Sequence, residues 1–70
     1  MKYVFIYNDG NTGEEIEFDT VEQAIDEAEI KWNYLTRRER KKYTDRTQGG
    51  LFMVTDEEGI LVRDWSEEVE

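Results

Sequence analysis

Seventy residues allow one domain with one modest core, because a chain this short buries only about 60% of the surface it exposes when unfolded. Without cysteine there is no disulfide and no thiolate to hold a metal or attack a substrate; without histidine the usual general base near neutral pH is missing. Eighteen acids against nine bases give a net charge of −9, which opposes uniform binding to the phosphates of DNA or RNA.

No run of about 18 apolar residues exists to span a membrane. The opening Met1-Lys2-Tyr3-Val4-Phe5-Ile6-Tyr7 lacks the apolar core and cleavage site of a signal peptide, so a cytoplasmic location is expected. The charge is unevenly placed. Residues 31–46 carry seven cations against Glu39 and Asp45, a balance of +5, whereas the remainder carries Lys2 and Arg63 against sixteen acids, a balance of −14.

In chain order, residues 2–8 are rich in β-branched and aromatic types and predict a strand. Asp9-Gly10-Asn11-Thr12-Gly13 supplies turn chemistry, and the alternation over residues 14–18 predicts the second arm of a hairpin. Thr20 and Gln23 stand at capping-box spacing before Val21, Ile25, Ala28, Trp32 and Leu35, which draw one apolar stripe along a helix of about 15 residues. Thr36 and Glu39 repeat that spacing and predict a short helix over 37–43 with almost no apolar face. Residues 44–50, ending in Gly49-Gly50, read as a flexible connection. Strands over 51–55 and 60–65 around Asp56-Glu57-Glu58-Gly59 form a second hairpin. The expected fold is α+β, ordered β-β-α-(short α)-β-β. A four-stranded antiparallel sheet of two hairpins carries one long helix on one face, with strand order 2-1-3-4 as one arrangement left open. Residues 1–65 make the domain and 66–70 an acidic tail.

Little here supports catalysis. Ser66 is the single serine and has no base beside it. Asp9-Gly10-Asn11-Thr12-Gly13-Glu14 follows a calcium loop at its first and third positions. It fails at the fifth, Gly13, and at the twelfth, where Thr20 replaces the bidentate glutamate, so a plain turn is expected. No enzyme, metal or cofactor is expected. Arg37, Arg38, Arg40, Lys41 and Lys42 are the candidate anion-binding residues, to be weighed against a solvated helix whose later cations favour the negative end of its dipole. Ile30 and Tyr34 lie nearly opposite the apolar stripe and are candidate interface residues unless the short helix or tail covers them. Alternation also divides Val4 and Ile6 from Tyr3, Phe5 and Tyr7, and one helix covers one face, so some of these need a second cover.

The alanine-bearing helix that ends in Trp32-Asn33-Tyr34-Leu35-Thr36 and runs into Arg37-Arg38-Glu39-Arg40-Lys41-Lys42 resembles a recurring pattern in small proteins of gut Firmicutes and their mobile elements. The resemblance covers residues 24–43, and it implies a fold more than an activity. In size and acidity, though not in motif, the chain is similar to anti-CRISPR inhibitors of phage and plasmid origin. The leading expectation is therefore a non-catalytic acidic inhibitor that blocks a basic nucleic-acid-binding groove of a larger host protein, such as a CRISPR nuclease. Glu14, Glu15, Glu17, Asp56, Glu57 and Glu58 are its candidate contacts, on the premise that both hairpin turns lie along one edge. The alternatives are a nucleic-acid accessory protein using the basic segment 37–46, or a homodimeric structural module.

Overall fold

A computed structural model describes residues 2–65. Four strands, β1 (Tyr3–Asp9), β2 (Gly13–Phe18), β3 (Gly50–Asp56) and β4 (Leu61–Asp64), form one antiparallel sheet in the order β2-β1-β3-β4. The most apolar strands, β1 and β3, take the centre, where both of their edges are hydrogen-bonded. A bulge between Val54 and Thr55 shifts the register of β4, so that Arg63 pairs with Val54 and Leu61 with Thr55.

Both helices dock on the sheet, not the long one alone. Helix α1 (Val21–Tyr34) begins where Thr20 Oγ1 accepts the Gln23 N–H at 3.2 Å. Of its apolar stripe, Ala28 and Trp32 are fully buried, joined by Ala24, while Val21, Ile25 and Leu35 are half-buried. The two alanines bring the helix close to the sheet and leave room for the large rings beneath it. Helix α2 (Arg37–Thr44) starts with a complete capping box: Thr36 Oγ1 accepts from the Glu39 N–H at 3.2 Å, and Glu39 Oε1 accepts from the Thr36 N–H at 3.0 Å.

Helix α2 buries no residue fully, and two side chains hold it down. Tyr43 packs its ring 5.7 Å from Phe52 and 6.0 Å from Tyr7. Arg40 donates from Nε to the Trp32 carbonyl at 3.1 Å and lies 5.0 Å over the Trp32 ring.

The expectation of a flexible connection over 44–50 is overturned. Arg46–Gln48 forms a 3-10 turn whose cap, Asp45, accepts from Thr47 N–H at 3.1 Å and Thr47 Oγ1 at 2.6 Å. Gly50 is buried and donates its N–H to the Asp45 carbonyl at 2.8 Å; a Cβ there would collide with the Lys42 carbonyl oxygen. The glycine is needed for close approach, not as a hinge. The fourth strand is also shorter than expected. Ile60 belongs to the turn, and Trp65 lies beyond the strand in the core. The acidic tail at 66–70 lies outside the described residues.

The core sits between the sheet and both helices. Phe5, Phe52, Val54 and Trp65 are buried on the sheet side and Ala24, Ala28 and Trp32 on the helix side. Phe52 has four rings around it, Phe5, Trp32, Tyr43 and Trp65, at centroid distances of 5.1, 5.0, 5.7 and 5.5 Å, all in edge-on geometry. The other sheet face carries Val4, Ile6, Leu51 and Met53, half-buried, and neither helix packs over it. Among the described residues no helix is long and apolar enough to cross a membrane.

Phe52→Ala should cost about 3–5 kcal/mol of unfolding free energy, enough to leave a domain of this size largely unfolded. Thr36→Ala should cost about 1 kcal/mol through loss of the cap. Urea denaturation followed by circular dichroism measures both, and Phe52→Ala with a near-unchanged midpoint would contradict the central place of that ring.

Candidate functional site

The antiparallel register decides which charges meet. Tyr3 pairs with both Phe18 and Asp56, so the start of β1, the end of β2, the start of α1 and the β3–β4 turn share one end of the molecule. Asp9 pairs with Gly50 and Asn8 with Gly13, so the β1–β2 turn and the 3-10 turn share the other end, where Lys42 of α2 meets Gly50. The two hairpin turns therefore lie at opposite ends of strands about 20 Å long, not along one edge. The premise that grouped Glu14 and Glu15 with Asp56, Glu57 and Glu58 fails for that reason.

At the first end, an open cleft of 410 Å³ is lined by Glu17, Phe18, Asp19, Gln23, Asp26 and Glu27, with Lys2 as its one cation. Lys2 Nζ lies 2.6 Å from Asp19 Oδ1. This hydrogen bond raises the lysine pKa above its ordinary value, reinforced by the charge of Asp19 and by those of Glu17 and Glu57. Glu57 and Glu58 are exposed on the adjoining turn. Asp56 is a turn former instead: its Oδ1 accepts from the Glu58 and Ile60 N–H groups, both at 2.9 Å. Among the described residues no three carboxylates gather as a metal centre requires, so this end is a spread negative surface.

Glu14 sits toward the opposite end, where its Oε2 accepts a hydrogen bond from Tyr7 Oη at 2.7 Å. That bond, with burial and the carboxylate's charge behind it, pushes the Tyr7 phenol up to about 12. Lys31 lies 4.4 Å over the same ring. Glu15 pairs with Ile6 across the strands, and Glu17 with Val4, placing both beside the open apolar face of the sheet.

The basic segment separates by role. Arg40 is engaged with Trp32, and Arg46 is paired with Asp64. Arg38, Lys41 and Lys42 occupy neighbouring positions on α2 and line a second cleft, of 510 Å³, against the β1–β2 turn; Arg37 is not part of that lining. In the turn itself Asp9 Oδ1 accepts from the Asn11 and Thr12 N–H groups at 2.9 and 2.8 Å, which makes it a hairpin turn. Ile30 and Tyr34 are 52% and 84% exposed, and nothing among the described residues covers them.

Asp19, Asp26 and Glu27 were not singled out by sequence reasoning. They lie far apart on the chain from Glu57, and only pairing direction brings them to one end. Gln48 and Asp45 were hidden in the segment read as flexible. No protein-family model, curated protein or solved structure matches this chain, so the functional reading rests on its own geometry.

Neutral Tyr7 is the form the fold favours, so its contribution to stability is complete below the ordinary phenol pKa of 10.0 and is lost as pH rises through about 12. Glu14→Gln should lower the Tyr7 titration midpoint toward the ordinary value, measured by NMR titration of its ring carbons. An unchanged midpoint would assign the shift to burial alone.

Proposed function

We propose that this chain acts by binding rather than by catalysis, seating its acidic end in a lysine- and arginine-lined groove of a larger protein and so excluding nucleic acid from that groove. The observation that carries this reading is the acidic cleft, where Glu17, Asp19, Asp26 and Glu27 stand beside Glu57 with Lys2 alone against them. Such a surface attracts a basic groove over a distance set by the ionic strength and competes for the cations that otherwise hold phosphates. The neighbouring sheet face, with Val4, Ile6 and Met53 half-buried beside Glu15 and Glu17, supplies apolar contact area of the kind protein interfaces bury. Asp56 falls outside the contact set because its carboxylate holds the turn, and Glu14 falls outside because it holds Tyr7.

The test is a capture experiment in rising salt. Partner capture should fall steeply as salt rises, and single-stranded oligonucleotide should displace the chain. A Glu17→Lys, Asp19→Lys, Glu57→Lys triple variant should lose at least about 100-fold in affinity, as expected when three favourable charges become repulsive. Equal capture by the triple variant, or insensitivity to both salt and oligonucleotide, would overturn the reading.

A further inference from the structure

Most of the chain's nine cations are already engaged. Lys2 pairs with Asp19, Arg63 with Glu29 and Arg46 with Asp64, while Arg40 lies on Trp32 and Lys31 on Tyr7. The remaining four are Arg37, Arg38, Lys41 and Lys42, and among the described residues none of them forms an ion pair within 4.0 Å. In a protein with twice as many acids as bases, cations without carboxylate partners call for an explanation. Three of these four converge on one cleft.

The cleft is built rather than incidental. Arg38, Lys41 and Lys42, at positions i, i+3 and i+4 of α2, form one wall, and Asp9, Gly10 and Asn11 form the other. Asp45 and Gln48 complete the lining. Close approach holds the parts together: a Cβ on Gly10 would strike the Gln48 carbonyl, and Gly10 has a φ of +94°, which a side chain rarely tolerates. One oxygen of each carboxylate in the lining is held by its own turn. Asp9 accepts from Asn11 and Thr12, and Asp45 from Thr47. The charge of Lys42 also acts on Asp9 and on Glu39, while Arg38 and Lys41 form no ion pair among the described residues.

We propose that this cleft binds a short polyphosphate group, free or carried by a nucleoside di- or triphosphate, through Arg38, Lys41 and Lys42. Its 510 Å³ falls within the range of small-molecule sites. Three cations suit an anion of charge three or four better than a lone phosphate or carboxylate. A long nucleic acid is disfavoured because the strand beyond the cleft meets a protein of net charge −9. The site lies at the end of the molecule opposite the acidic cleft, so it stands or falls independently of the proposed partner binding.

Isothermal titration calorimetry of the full chain at low salt, with inorganic tripolyphosphate and with ATP as separate probes, tests the proposal. Saturable binding of either supports it, and the tighter probe identifies the source. Arg38→Gln, Lys41→Gln and Lys42→Gln should each weaken binding about tenfold, roughly the effect of losing one charge-assisted contact. Arg37→Gln, on the same helix but outside the cleft, should change it less than about twofold. NMR shifts on titration should be confined to residues 9–11 and 38–48. Thermal melts of each variant confirm folding, which exposed lysine and arginine substitutions leave intact. Absence of saturation at millimolar ligand overturns the proposal. So does an Arg37→Gln loss equal to that of Arg38→Gln, or a single-stranded oligonucleotide that binds more tightly than ATP at the same salt.

Discussion

The ring of Phe52 touches each of the parts that must stay in register: Phe5 on the neighbouring strand, Trp32 on α1, Tyr43 on α2 and Trp65 just past β4. Among the described residues the buried apolar side chains form one cluster, with no second core to share that duty. Helix α2 depends on it most, because its own sequence is almost entirely polar and its anchoring side chains are Tyr43, against the sheet, and Arg40, against Trp32 of α1. Where α2 sits decides where most of the chain's cations sit. An aromatic contact in the interior therefore fixes the electrostatics of the surface.

The consequence is a molecule sorted by charge. Pairing of β1 with both β2 and β3 places Lys2, Glu17, Asp19 and the β3–β4 turn at one end, and the β1–β2 turn with α2 at the other. Ion pairs within the fold do not undo this sorting. Lys2–Asp19 lies wholly within the acidic end, Arg63–Glu29 joins β4 to α1, and Arg46–Asp64 joins the 3-10 turn to β4, leaving the cations of α2 outside all three pairs. The open sheet face and the exposed Ile30 and Tyr34 add apolar surface between the charged ends. The ends are suited to opposite partners.

Local chemistry was legible in the sequence, and long-range geometry was not. Thr20 and Thr36 mark helix starts because their hydroxyls act within three residues, and the hairpin turns were readable from Asp9, Gly10 and Gly59 for a similar reason. The 3-10 turn escaped because Gly49-Gly50 carries the same signature whether glycine supplies freedom or close packing; only the Lys42 carbonyl against Gly50 distinguishes them. Trp65 could not be separated from an ordinary strand residue before the bulge in β4 was known. The candidate acids were grouped on the premise that both hairpin turns lie along one edge, whereas the acids that meet are chosen by strand direction. Arg40 shows the same limit on the basic side, since its cation serves Trp32, which lies a full eight residues earlier.

The most direct measurement of this charge sorting is solvent paramagnetic relaxation with cationic and anionic nitroxides, compared residue by residue in the same sample. The cationic probe should broaden residues 17–27 and 57–58 selectively, and the anionic probe residues 37–42. If both probes broaden the same surface, or each spreads evenly over the molecule, the charges are not sorted to the two ends and the functional reading built on them is wrong.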